Sequence, residues 1–218
     1  KVGTGNLTLG GPSSYTGSTI INRGTITLAA SDTLPYTTPV TVNATTAGET
    51  ALLNLNGFNN RFASLTFGGA GATSTSTNNV TTGAGTLTLL GNVTYDATNN
   101  PLASLLSGNL NLGGTQTGTS LSGPVSRTFT TGDSTSVTGS DAELVVSAKI
   151  SDGTLGTGST GDSVVKAGAG VLRFTAVDSD YSGTTTINAG TLQVTKLTNG
   201  GSASSIGDSS AAAANLVI

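Results

Sequence analysis

The sequence predicts an all-β protein of the solenoid type, in which short strands wind into stacked coils. Three observations predict this fold: a composition rich in turn-forming and β-branched residues, a series of short alternating apolar runs, and an internal repeat. Gly, Ser, Thr and Asn make up just over half of the 218 residues, whereas charged residues are 9% and aromatic residues 4%. Such a composition favours β-strands joined by tight turns.

Short β-prone runs follow one another along the chain, separated by segments rich in Gly, Asn and Ser. In most of them apolar residues alternate with polar ones, as in Leu7-x-Leu9 and Val40-x-Val42, which places one apolar stripe inward. No helix of two turns is predicted. The predicted strands, in chain order, are 6–9, 19–21, 25–28, 40–43, 51–55, 62–67, 86–90, 93–95, 109–112, 127–130, 143–150, 163–167, 171–175, 185–188, 191–194 and 215–218.

An internal repeat relates residues 1–28 to residues 166–194. Both copies read K-x-G-x-G-x-L-x-[LF] and then Y-[ST]-G-[ST]-T-x-I-N-x-G-T-[IL], and a weaker copy lies at 83–95. We expect glycine to supply positive φ and close approach at corners, and Asn to tolerate the left-handed conformation. The structural positions predicted from the repeat are Gly3, Gly5, Tyr15, Gly17, Asn22, Gly24, Gly168, Gly170, Tyr181, Gly183, Asn188 and Gly190.

One repeat is too short to bury its own apolar stripe, so neighbouring coils must cover it. We therefore predict that residues 1–218 form a single β-solenoid segment. Coils of roughly 20–25 residues, about 4.8 Å apart, would give on the order of nine or ten coils and a rod of roughly 45 Å. The alternative fold is a string of antiparallel β-sandwiches, whose strands would pair with sequence neighbours through hairpins.

The composition excludes several classes of function. The chain has no His and no Cys, which removes Ser-His-Asp and Cys-His catalysis and the usual zinc sites. Its eight basic residues are scattered, so no nucleic-acid footprint is predicted. No apolar run approaches the roughly 20 residues of a membrane helix, so we expect no membrane insertion by this segment. No cofactor is predicted.

The acidic residues offer two further hypotheses. Asp141 with Glu143 and Asp178 with Asp180 are spaced to share one face of a strand, a spacing that fits either a glycan-cleaving carboxylate pair or a solvated edge. Hard oxygen ligands for a structural calcium ion are the second hypothesis. Its candidate ligands are Asp178, Asp180, Asp152 and Asp162. Arg127 and Lys149 stand alone, and we expect both to be solvent-facing charges with buried stems.

The repeat pattern resembles the autotransporter-associated β-strand repeat, also called the passenger-associated transport repeat. This repeat occurs in type V-secreted passengers and related giant bacterial surface proteins. The resemblance implies a right-handed parallel β-helix that is exported through the outer membrane to the cell surface. It also implies an adhesive context and supplies no catalytic residue. The ends do not look like natural caps, so we expect either a piece of a longer array or copies that stack end to end.

The predicted function is that of a non-enzymatic extracellular structural or adhesive protein. The chain would be a β-helical stalk or fibre module that could assemble end to end into filaments. Its expected partners are adjacent repeats or further copies of itself, and host, matrix or cell-surface glycans. The alternative is a glycan-binding or glycan-cleaving β-helix, with a cleft where acids and aromatic residues converge around one of the two carboxylate pairs.

Overall fold

The protein, seen in a computed structural model that describes residues 1–117, 120–139, 141–153 and 161–218, is built almost entirely of short strands. Two parallel sheets contain most of them, and successive strands of the chain alternate between the sheets along most of the rod. Each pass through both sheets is one coil. This arrangement confirms the predicted β-solenoid, specifically a parallel β-helix; its right-handed winding stays a prediction.

The first sheet contains β1, β3, β5, β6, β8, β10, β14, β15, β17 and β19. These strands are Asn6–Leu9, Gly24–Leu28, Thr50–Asn54, Asn60–Phe62, Thr77–Leu89, Ser104–Asn111, Leu144–Val146, Lys149–Ser151, Val171–Phe174 and Thr191–Val194. The second sheet contains β2, β4, β7, β9, β13, β16, β18 and β20. These strands are Thr19–Ile21, Pro39–Val42, Ser64–Gly68, Val93–Asp96, Ser126–Thr131, Ser163–Ala167, Thr185–Ile187 and Leu216–Val217. A separate hairpin consists of β11, Thr115–Thr117, and β12, Ser120–Ser122.

The strands pair with residues one coil away. Each sheet path contains eight strands, which gives eight coils in the described chain, fewer than the nine or ten that were predicted. The coils are longer than assumed in the middle of the rod. The register there pairs Asn109 with Lys149, whereas near the start it pairs Asn6 with Thr25, an interval only about half as long.

The strand pairing also decides between the two predicted folds. Only the β11–β12 hairpin is antiparallel among the strand pairs of the described residues. The pairs of both large sheets are parallel and join strands that are not neighbours in the chain. The antiparallel sandwich alternative is therefore wrong.

The core is a set of apolar columns that run along the rod. We number the coils 1 to 8, from β1 and β2 to β19 and β20, and one column follows the register of the first sheet from coil 2 to coil 8. Its members are Ile26, Leu53, Val80, Leu106, Val146, Phe174 and Val194. Each large aliphatic side chain buried in such a column contributes about 1.5–3 kcal/mol. The thin apolar core expected from the alternating runs is confirmed.

Polar side chains form matching columns on the outside. Thr41, Thr66, Thr94 and Thr130 are aligned in successive coils of the second sheet and form a threonine ladder. Asn side chains also join coils: the Oδ1 atom of Asn79 accepts a hydrogen bond from the Leu105 N–H at 2.9 Å. These contacts satisfy backbone donors where strands begin or corners interrupt the sheet.

The strand bounds differ from the sequence prediction where apolar alternation stops. β8 begins at Thr77, well before the predicted strand at 86–90. Its first part lacks apolar alternation because the inward-facing residues Asn78 and Thr82 are polar. The predicted strands at 62–67 and 143–150 are each divided by a corner, at Ala63 and at 147–148. A short 3₁₀ turn, Ala213–Asn215, occurs near the end. No helix within the described ranges has the length and apolar character needed to cross a membrane.

Candidate functional site

The lysine that opens each repeat binds three backbone carbonyls at a corner of the rod. In both copies the acceptors are the two residues after the lysine and the residue before the last corner glycine. For Lys1 Nζ they are the oxygens of Val2, Gly3 and Arg23, at 3.3, 2.5 and 2.9 Å. For Lys166 Nζ they are the oxygens of Ala167, Gly168 and Ala189, at 2.8, 2.7 and 3.0 Å. The repeat lysine therefore closes a corner.

Lys166 occupies a core position. It follows Val93 and Phe129 in the register of the second sheet and is fully buried. Burial lowers the pKa of Lys166 from 10.5 to about 8, and the negative charge of Glu143 opposes this shift. Because its three acceptors are backbone oxygens of its own and the following coil, this lysine has a structural role in coil packing.

The last glycine of each repeat lies under the preceding turn. Gly24 has a φ of 72°, and a Cβ atom there would lie 2.6–2.7 Å from the oxygens of Gly3, Thr4 and Gly5. Gly190 has a φ of 70° and faces the equivalent carbonyls of residues 168–170, all at less than 3.0 Å. Only glycine fits both the backbone conformation and the space. The corner predicted at Asn-x-Gly is therefore present, but the positive φ belongs to the glycine.

The repeat tyrosines make the same hydrogen bond in different surroundings. The hydroxyl of Tyr181 bonds to Thr185 Oγ1 at 2.6 Å, and that of Tyr15 bonds to Thr19 Oγ1. Tyr181 is fully buried, and burial raises its pKa well above 10. Tyr15 is 39% exposed. The shared bond fixes both rings, while only one ring is covered by the chain.

Among the remaining repeat positions, the two asparagines make the same contact in both copies, whereas the surroundings of the glycines differ. The N–H groups of Asn22 and Asn188 donate to the carbonyls of the repeat lysines, both at 2.9 Å. Cβ atoms at Gly170 and Gly183 would collide with backbone oxygens of the preceding coil, whereas nothing lies within 4 Å at their counterparts Gly5 and Gly17. Glycine is thus required at these two positions of the motif where another coil packs beneath the repeat.

The family model described as Passenger-associated-transport-repeat matches residues 1–28 and 164–194. The resemblance found in the sequence is confirmed, and the second transport repeat begins two residues earlier than predicted. The weaker copy at 83–95 falls on the end of β8 and on β9; its assignment as a transport repeat stays a prediction.

The chain is also similar along its whole length to a protein named Adhesin BmaC autotransporter from Brucella suis biovar 1 (strain 1330). The two are 34% identical over 220 residues, which cover 100% of this chain. The chain spans only 4% of the length of that protein. No solved structure matches. The similarity therefore extends to the long stretch that lies between the two transport repeats.

The calcium candidates Asp152 and Asp162 accept hydrogen bonds from the backbone. Asp162 is fully buried, and its two oxygens accept from the N–H groups of Val125 and Gly153 at 2.8 and 2.7 Å. Asp152 accepts from the N–H and the hydroxyl of Ser182 at 3.1 and 2.6 Å. Both aspartates thus bind segments of neighbouring coils together.

No group of three acidic side chains among the described residues is arranged to hold a metal ion. Asp180 lies 2.6 Å from Lys149 Nζ, and this hydrogen bond is the main cause of a raised Lys149 pKa; Asp178 is exposed. The calcium site stays a prediction that a rise in melting temperature on adding Ca²⁺ would support.

The predicted carboxylate pairs do not share a strand face. Asp141 and Glu143 precede β14, and Asp178 and Asp180 lie in the loop after β17. Glu143 is 2% exposed, and its oxygens accept from the N–H groups of Ser134 and Val171 at 3.3 and 2.5 Å. Asp141 is exposed. Because the members of each pair face different surroundings, the predicted face geometry is wrong.

Arg127 has a structural role in the rod. It is 8% exposed, and its Nε and Nη2 atoms donate to the carbonyls of Leu112 and Gly114 at 2.8 and 2.9 Å. Burial lowers its pKa, and the charge of Asp162 opposes this shift. The guanidinium therefore holds the base of the β11–β12 hairpin. The prediction that Arg127 faces solvent is wrong, and a lone Arg between Ser and Thr gave no signal of this role.

A groove of about 400 Å³ lies on the side of coils 1–3. It is formed by the loop between β1 and β2, the loop between β3 and β4, and Arg61 of β6. Tyr15 and Tyr36 contribute aromatic rings, and Asp32 contributes a carboxylate. No sequence pattern marks this groove, because its residues are far apart in the chain and come together only through coil stacking.

Proposed function

We propose that this chain is a non-enzymatic, rigid segment of an exported adhesive passenger, and that it acts as a stalk outside the bacterial cell. The observation that carries the proposal is the 34% identity to an autotransporter adhesin along the whole chain. The transport repeats at 1–28 and 164–194 support export by the same route. The proposal includes display at the bacterial surface.

The environment of the acidic residues supports a non-enzymatic role. A glycosidase needs two carboxylates on either side of one bond. Glu143 instead has both oxygens engaged by backbone N–H groups, and Asp180 is paired with Lys149. Asp162 is likewise fully buried and hydrogen-bonded. These carboxylates serve the packing of the coils.

The stacking supports a mechanical role. Backbone hydrogen bonds join each coil to the next through both sheets, so the ladder continues along the rod. Three ion pairs among the described residues add lateral contacts, and each joins consecutive coils. They are Arg23–Glu49 at 2.5 Å, Arg61–Asp32 at 3.1 Å and Lys149–Asp180 at 2.6 Å. Continuous pairing gives stiffness without disulfides, which this chain lacks.

Surface display tests the proposal. Antibodies raised against the purified chain should label intact cells of the source bacterium, and mild external protease should remove the label. An in-frame deletion of these residues from the encoding gene should reduce attachment of the cells to host surfaces. Labelling that requires permeabilised cells, or attachment that is unchanged by the deletion, would contradict the proposal.

End-to-end assembly is a separate proposal. In the described chain, β1 and β19 pair with another strand on one side only, and a free strand edge is a template for a further strand. A second copy could add its first coil to the last coil of this one. Sedimentation of the purified chain at increasing concentration should show growing species; a constant monomer would exclude filaments.

A further inference from the structure

The groove on coils 1–3 has the make-up of a small ligand site. Its volume of about 400 Å³ falls within the range of ligand pockets, about 300–1,000 Å³. Its walls combine aromatic, aliphatic and ionic groups. Its lining includes Tyr15, Asp32, Leu34, Pro35, Tyr36 and Arg61.

Tyr15 provides a fixed aromatic surface in this groove. Its hydroxyl is bonded to Thr19, as the hydroxyl of Tyr181 is bonded to Thr185. At Tyr181 the backbone of the last coil covers the ring, and a Cβ atom at Gly207 would lie 3.1 Å from two ring carbons. At Tyr15 the ring remains 39% exposed. A ring held in place and left open costs little entropy when a ligand packs against it.

Arg61 and Asp32 form a polar pair beside the second ring. The Nε and Nη2 atoms of Arg61 donate to the two carboxylate oxygens of Asp32 at 3.1 and 3.2 Å. The guanidinium also lies 4.8 Å from the ring centroid of Tyr36, which is a cation–π distance. The side chain of Asp32 is 52% exposed, so its oxygens have lone pairs available to a ligand.

We propose that this groove binds a neutral, hydroxyl-rich glycan; this inference rests on the proposed adhesive role and adds its ligand class. A sugar ring has an apolar face that packs on tyrosine and hydroxyl groups that donate to a carboxylate and accept from a guanidinium. The two charges neutralise each other, so the groove offers no net attraction to an acidic ligand. Arg61 is already engaged in a bidentate pair, which also disfavours its use as an anion site.

A proline-rich peptide is the competing occupant, because such peptides dock in aromatic grooves. The exposed carboxylate of Asp32 favours the glycan. A sugar offers hydroxyl donors to its oxygens, whereas the prolines of a proline-rich helix have no N–H to donate. Pro35 is partly exposed and supplies apolar contact area that either ligand could use.

Binding to an array of immobilised oligosaccharides tests the inference, followed by calorimetry with the best ligand. The purified chain should bind neutral glycans. Asp32→Asn should weaken the Kd about tenfold or more, the loss expected for one charge-assisted hydrogen bond. Asn tolerates the positive φ of 49° at this position, so the variant should fold. Tyr36→Ala should weaken binding similarly, with folding checked by circular dichroism.

The matched control is Asp180→Asn, which breaks an ion pair of the same kind on coils 6 and 7 and should leave the Kd unchanged. Failure to bind any neutral glycan, or binding that Asp32→Asn does not alter, would overturn the inference. Preferential binding of acidic glycans or of a proline-rich peptide on the same surface would overturn the ligand class. Labelling of intact cells remains a separate readout, so loss of glycan binding alone leaves the stalk proposal standing.

Discussion

The distance from an added Cβ atom to nearby backbone carbonyls decides which glycines of the transport repeat can be replaced. Gly190→Ala combines an unfavourable φ with a collision against three backbone oxygens. Gly201 has a φ of 79° and open space around it, so Gly201→Ala isolates the cost of the φ alone. We expect a loss of about 1 kcal/mol in unfolding free energy for Gly201→Ala and about 1–3 kcal/mol more for Gly190→Ala.

Urea denaturation of the two variants would measure this difference. Equal midpoints for Gly190→Ala and Gly201→Ala would contradict the role assigned to the close carbonyls. The comparison removes the effect of glycine on the unfolded chain, since both variants exchange Gly for Ala.

The buried lysine predicts an unusual dependence of stability on pH. The pKa of Lys166 is lowered from 10.5 to about 8 in the folded state. Between these values the unfolded chain binds more protons than the folded chain, so this residue makes stability rise with pH. The pKa of Tyr95 is raised from 10.0 to about 12 by burial, and its contribution is lost only above about pH 10. The two effects therefore separate below pH 10.

Thermal melts at several pH values between about 8 and 9.5 would test the Lys166 contribution within this window. The melting temperature of the wild-type protein should rise relative to that of Lys166→Met. Lys1→Met, which removes the equivalent clamp from the other repeat and keeps Lys166, should follow the wild-type slope. Parallel slopes for wild type and Lys166→Met would show that Lys166 does not titrate in this range.

Among the elements, the β11–β12 hairpin depends on the buried guanidinium at its base. Arg127→Met keeps an apolar stem and leaves the carbonyls of Leu112 and Gly114 without their donor. We expect a loss of about 2–4 kcal/mol in unfolding free energy. Arg173→Met is the control, because Arg173 is half-buried and donates to a side chain, Gln193 Oε1. It should cost less than about 1 kcal/mol, as measured by chemical denaturation.

The strands that the sequence predicted well are those with regular apolar alternation. β1, β2, β16 and β19 have the predicted bounds. The first half of β8 escaped prediction because inward positions are filled by Asn78 and Thr82, which read as loop residues. Asn78 is accepted inside because its Oδ1 accepts from the Ala44 N–H at 2.6 Å. That pairing depends on a coil far away in sequence, so no local pattern records it.

The repeat corners could be predicted because a local sequence motif marks them, whereas no local motif marks the groove. Gly24 and Gly190 were identified from motif spacing, and the structure explains each by its φ and its carbonyl contacts. Asp32, Arg61 and Tyr36 have no periodic relation. Their contact depends on which loops the stacking of coils brings side by side, and apolar periodicity does not determine this.

For the whole molecule, coil length predicts where folding starts. The transport repeats contain the shortest coil closures of the described chain, in which Asn6 pairs with Thr25 and Val171 with Thr191. Leu106, in the middle of the rod, pairs with residues farther away in the sequence, Val80 before it and Val146 after it. Short loops lose less entropy on closure, and local contacts form earlier. We therefore expect the repeats to nucleate folding.

Folding kinetics of two core variants would test this order. Leu172→Ala, in the second repeat, should have a high φ-value, and Leu106→Ala, in the middle of the rod, a low one. Both side chains are fully buried, so both variants should be destabilised enough to measure. Equal or reversed φ-values would place the nucleus outside the repeats.

The unequal coil lengths also determine how the rod would respond to tension. Its strands run across the long axis, and its backbone hydrogen bonds run along that axis. A pull on the two ends would therefore break the hydrogen bonds between one pair of coils at a time. Opening the coil between Asn6 and Thr25 would release about 65 Å of extended chain, and opening the one between Asn109 and Lys149 about 135 Å. Such a tether gives way in uneven steps, and its longest extension comes from the coils that carry the inserted hairpin. If the rod tethers a bacterium against flow, each opening coil would lengthen the tether and lower the peak force on the attachment.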